Sequence, residues 1–180
     1  KPMRIFRIVL FIFTLCITVI GVTSISLAQV IEPVEPLNLS DQPVVLEFST
    51  GAAGPPTIEP LTDGRMAFRI MAAGDISGAF EGSISANVSE VTAMPSPPLH
   101  PVTVMFTIET EQGMIQGYYS GSLYLAEGSD SASINAAGQI LSVSGTYADL
   151  YLADVFVNSA VQFVDGRSVG ESGTMTISAR

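Results

Sequence analysis

Apolar and polar residues alternate with a period of two along most of this chain. The longest run, Asp75 to Val91 (DISGAFEGSISANVSEV), puts Ile76, Gly78, Phe80, Gly82, Ile84, Ala86 and Val88 on one side; Asp75, Ser77, Ala79, Glu81, Ser83, Ser85, Asn87 and Ser89 fall on the other. Successive side chains of a strand point to opposite faces, so this pattern predicts one long β-strand with a dry and a wet face. Gly74, Gly78 and Gly82 fall on the dry face, where a missing side chain lets a strand coil or a neighbour approach closely.

The same period marks the rest of the chain after residue 43. Val44 to Thr50 is a first strand with Val44, Leu46 and Phe48 on one face, followed by the turn-rich connection Gly51 to Pro60. Asp63-Gly64 signals a tight turn, and Met66 to Ala72 is a second strand with Phe68 and Ile70 inward. Thr92 to Pro101 carries four prolines and reads as a stiff surface loop holding the chain's single histidine, His100. Val102 to Glu111 and Met114 to Ala126 form a hairpin whose second strand repeats the glycine spacing at Gly113, Gly117 and Gly121. Ser131 to Tyr147 contains one long or two short strands, Ala148 to Ala153 a single helical turn, and Asp154 to Ala179 a last hairpin around Asp165-Gly166. No apolar repeat of 3.6 residues is long enough for a substantial helix after the first segment.

That first segment is different. Arg4 and Arg7 precede an apolar run from Ile8 to Val22, and Ser26-Leu27-Ala28 supplies small residues at a signal-peptidase site. Residues 1–28 are therefore read as a hydrophobic signal helix, 29–43 as a proline-interrupted leader or linker, and 44–180 as the β domain. The destination is secretion, the cell surface or the periplasm. An uncleaved signal segment is the only membrane contact this reading contains. Beyond residue 28 four arginines stand against 17 acidic residues, a formal charge of −13, which repels nucleic acid. Cys16 lies in the signal segment, so the remainder has neither a disulfide framework nor a thiolate metal site.

About eight strands joined mostly by short turns satisfy either a two-sheet sandwich or an antiparallel meander β-barrel. The meander order, the inward glycines and the long strands favour the barrel, with Ile76, Phe80, Ile84, Phe106, Ile115, Tyr119 and Leu123 lining its lumen. The strands GDISGAFEGSISANVSEV and GMIQGYYSGSLYL, with VSGTYADLYL leading into a final hairpin, resemble the allene oxide cyclase and dirigent type of calycin β-barrel. The resemblance implies an eight-stranded barrel, often a homo-oligomer, whose apolar pocket steers cyclisation or coupling of a lipid-derived or phenolic intermediate. The chain departs from that pattern at Tyr147, where those families carry a glycine, and their carboxylates find no match here.

Few residues suit catalysis. Without lysine or cysteine past residue 28, Schiff-base and thiol chemistry lack their groups, and His100 reads as a solvated loop residue. Glu81, Glu109 and Glu111 read as solvent-facing charge, and Glu127 and Asp130 as an acidic turn. The reading assigns no catalytic residue, metal or cofactor. Aromatic and apolar side chains are the remaining handle: Phe80, Phe106, Tyr119, Leu123 and Tyr147 are the candidate ligand-binding residues. The resulting expectation is a secreted, non-catalytic β-barrel that binds a small apolar ligand or serves as a surface or assembly module. The alternative is an allene oxide cyclase-like or dirigent-like enzyme.

Overall fold

The computed structural model describes residues 42–93, 97–165 and 167–178. Residues 1–28, read above as a signal segment, and most of the leader lie outside them. The described residues are all-β and close into an antiparallel barrel. Its strands are β1 (Val44–Ala52), β2 (Thr57–Pro60), β3 (Met66–Gly78), β4 (Gly82–Thr92), β5 (Leu99–Thr110), β6 (Gly113–Leu125), β7 (Ser131–Val143), β8 (Asp154–Val164) and β9 (Arg167–Ser178). From β3 to β9 each strand pairs with its successor, and β1 closes the ring by pairing with both β3 and β9. Eight strands make the ring. β2 lies along the edge of β3 beyond the end of β1, pairing Thr57 with Arg69 where β1 had paired Ala52 with Ala72.

Alternation becomes burial directly. In β1 Val44, Leu46, Phe48 and Thr50 are buried while Val45, Glu47 and Ser49 are exposed. Inward residues from all eight ring strands, among them Leu46, Ile84, Val104, Ile115, Ile140, Val157 and Met175, form one contiguous core. The outward set of β4 and β7 is largely Ser and Asn, including Ser83, Ser85, Asn87, Ser133 and Asn135. The outer wall as a whole is mixed, with Met71, Met105, Tyr124, Leu141 and Phe156 exposed.

The longest alternating run is not one strand. It is a hairpin: β3 ends at Gly78, Ala79 to Glu81 turn the chain, and β4 begins at Gly82. Ile76 pairs with Gly82, six positions apart, so the alternation keeps its phase through the turn. A period-two pattern cannot distinguish such a hairpin from a continuous strand. Gly78 makes the turn with φ +119, in the left-handed half of backbone space, and a Cβ there would overlap the Val45 carbonyl.

Two further expectations need correction. Thr57 to Pro60, read as part of a turn-rich connection, forms the short strand β2 because the outer edge of β3 offers it a ladder. His100, read as a solvated loop residue, lies in β5 and is 6% exposed, since β5 begins at Leu99 and pairs His100 with Leu123 of β6. Proline at 101 does not stop the strand: Pro101 lies opposite Ser122 at the end of β5, where β4 has not yet joined it. The other boundaries follow the sequence reading closely. The Ala148–Leu150 segment is a single 3-10 turn, and Ser131–Val143 is one strand.

Candidate functional site

The two ends of the barrel differ. At one end the β7–β8 connection folds across the lumen and inserts Tyr147 and Leu150, both fully buried. Gly145 (φ +68) and the 3-10 turn bend the chain, and Leu150 N–H donates to the Tyr147 carbonyl at 2.9 Å. The Thr146 N–H donates to the Gln112 carbonyl at 3.2 Å, tying the connection to the β5–β6 turn. The Tyr147 hydroxyl meets Thr110 Oγ1 at 2.7 Å, and its ring lies 5.1 Å from that of Phe80. Ile108, Ile115, Ile140 and Val155 belong to the same core as the plug, each with no exposed surface. This end is sealed.

The other end is built from the C-terminal halves of β4, β6 and β8 and the N-terminal halves of β3, β5, β7 and β9. Inward side chains here, including Ile70, Val88, Leu125 and Phe163, are only half-buried, so among the described residues nothing closes this mouth as Tyr147 closes the other. Polar residues occupy dry-face positions at the same level. Glu171 of β9 takes the phase of Gly173, Met175 and Ile177, opposite Thr50 and Val161. Ser159 Oγ donates to Glu171 Oε1 at 2.6 Å, and Tyr119 Oη reaches the same oxygen from β6 at 3.4 Å. Both bonds go to Oε1; Oε2 takes no hydrogen bond from the described residues and is not a buried orphan, so it is open to solvent.

Burial dominates the electrostatics of this group. It raises the Glu171 carboxyl above the usual range, and the hydrogen bonds from Ser159 and Tyr119, which favour the ionised form, only partly offset it. Burial, and then the charge of Glu171, push the Tyr119 hydroxyl far up, so it stays protonated and donates. The Tyr119 ring also contacts Phe106, with centroids 6.0 Å apart. Phe106 in turn occupies the space where a Cβ on Gly117 would stand. One inward glycine thus makes room for an aromatic ring against the wall.

A second polar pair lies at the same end. His100 Nε2 is 2.8 Å from Glu90 Oε1, and Nδ1 faces the Pro97 carbonyl at 3.3 Å. Both ring nitrogens face oxygens. Burial raises the Glu90 carboxyl, and the neighbouring imidazole opposes that shift.

The candidate residues divide between the ends. Phe80 and Tyr147 belong to the sealed end, Phe106 and Tyr119 to the middle of the lumen, and Leu123 to the open end beside His100. Glu81, Glu109, Glu111, Glu127 and Asp130 are exposed. Glu90, His100, Ser159 and Glu171 are the residues that sequence reasoning missed. Their signal was present: each is a polar residue in phase with the apolar set of its strand. The arrangement can hold an apolar body against the half-buried wall and give or accept a hydrogen bond at Glu171.

The fold and this mouth define a closed eight-stranded antiparallel barrel, sealed at one end and lined with carboxylates at the other. No protein-family model matches the chain, and no curated protein or solved structure does so either.

Proposed function

We propose that this protein is a secreted, non-catalytic β-barrel that binds a small apolar molecule at the open end of its lumen. The observation that carries the reading is the asymmetry of the inner wall. Tyr147 and Leu150 close one end completely, whereas Ile70, Val88, Leu125 and Phe163 stay half-buried at the other, around a hydrogen-bonded carboxylate. Binding sites combine an apolar lining with a few placed polar groups, and eight-stranded barrels hold either packed side chains or one small ligand. Secretion rests on residues 1–28, and an N-terminus at Gln29 in protein recovered from a processing host tests it. Native mass spectrometry of protein purified without detergent tests the binding. A released small molecule, or saturable uptake of an apolar dye, is the expected result; protein that carries nothing and takes up no apolar probe refutes it.

A second reading, as a cyclase-like or dirigent-like enzyme, is favoured by the Tyr119–Glu171–Ser159 group. A carboxyl whose proton affinity is raised beside a neutral phenol is suited to moving a proton in an apolar site. The assay is the stereochemistry of cyclised or coupled product from an unsaturated epoxide or a phenoxy radical. Racemic product with and without the protein excludes this reading.

A further inference from the structure

Resting on the ligand-binding reading above, we infer that the molecule taken at the open mouth is a cationic amphiphile, an apolar chain or ring bearing a protonated amine whose ammonium contacts Glu171 Oε2. The charge pattern of the inner wall carries the argument. Glu171 Oε1 is already engaged by Ser159 at 2.6 Å and Tyr119 at 3.4 Å, whereas Oε2 takes no hydrogen bond from the described residues and stays accessible to solvent, and so to a ligand head. Both donors are neutral, so the group, when ionised, has hydrogen bonds but no counter-charge.

No other part of the described barrel supplies one. Arg65, Arg69 and Arg167 are exposed, and the first two pair on the surface with Asp63 and Glu59. The imidazole of His100 is the one inward basic group among the described residues, and Glu90 holds it at 2.8 Å. The wall therefore offers two carboxylates and one imidazole. An anionic head on the inner wall would face Glu171 with no inward basic side chain to receive it except the imidazole that Glu90 already holds, so its desolvation would go uncompensated. An ammonium supplies the counter-charge and a charge-assisted hydrogen bond to the accessible Oε2, while Ile70, Val88, Leu125 and Phe163 cover an apolar body. The strongly acidic balance of the chain, 17 carboxylate side chains against seven basic ones, draws cations toward the mouth before contact.

The test compares three probes of one chain length, octylamine, octanol and octanoate, by titration calorimetry at pH 7.5 on the full chain and on Glu171→Gln. Octylamine is expected to bind about tenfold or more tighter than octanoate, as one charge-assisted hydrogen bond with a counter-charge implies. Glu171→Gln keeps an acceptor for Ser159 and Tyr119 but removes the charge, so it should abolish the amine preference and retain octanol binding. Octanoate binding as well as octylamine, or an unchanged preference in the variant, overturns the inference and leaves the apolar-binding reading standing. Binding of none of the three overturns both. If the variant does not fold, the ranking on the unaltered chain decides alone.

Discussion

Replacing Tyr147 tests whether the β7–β8 connection seals the barrel. The hydroxyl belongs to a defined network: Gln112 N–H donates to Thr110 Oγ1 at 3.0 Å, and Thr110 Oγ1 donates its single proton to the Gly113 carbonyl at 3.2 Å. The Tyr147 hydroxyl, 2.7 Å away, must then be the donor in its own contact with Thr110. Tyr147→Phe deletes that donor and leaves Thr110 with its other two partners, so it should cost no more than about 1 kcal/mol. Tyr147→Ala also empties a fully buried aromatic site and removes the ring contact with Phe80, which puts the loss at about 3–5 kcal/mol. At ~3 °C per kcal/mol for a domain of this size, the thermal midpoints should fall by about 3 and 12 °C. Urea unfolding and thermal melts followed by circular dichroism measure the free energies and the midpoints. If alanine cost no more than phenylalanine, the aromatic would not be closing the lumen, and the distinction between a sealed and an open end would fail.

Three further predictions follow from the mouth and the wall. Burial raises the folded-state pKa of Glu171 above the unfolded value, so its contribution to stability is complete below pH ~4.5 and is lost as the pH rises through the folded-state value. Glu171→Gln should thus match the parent near pH 4 and gain on it toward neutrality in thermal melts; a constant difference across that range would contradict the assignment. His100→Ala leaves Glu90 part-buried without its partner and should cost about 2–3 kcal/mol in urea unfolding, whereas Glu90→Gln combined with His100→Gln should recover much of it. Equal losses in the single and double variants would show that the pair is not coupled. Gly138→Ala would drive a Cβ into the Tyr118 carbonyl of the neighbouring strand, for a loss of about 3 kcal/mol; a neutral effect would mean that β6 and β7 do not approach as closely as described.

Much of the barrel was legible in the residues because both faces of each strand keep strict phase. β1, the β5–β6 hairpin and the β8–β9 hairpin fall within a few residues of where alternation and turn residues place them. The β3–β4 hairpin was not legible as a hairpin, since Ile76 and Gly82 keep the same phase across the turn. The proline-rich stretch before Val102 concealed His100, because proline content argues for a loop while a free strand edge tolerates Pro101.

The chain's own residues determined an all-β domain with an apolar inner face, an acidic and cysteine-free composition past residue 28, and an aromatic set suited to a lumen. Only the tertiary structure decided that β1 closes the ring between β3 and β9, that Tyr147 seals one end, and that Glu90, His100, Ser159 and Glu171 gather at the other. The physical reason is separation. Alternation is a property of neighbours two residues apart, whereas Tyr119 and Glu171 stand 52 positions apart and meet because a closed sheet turns both side chains into one lumen.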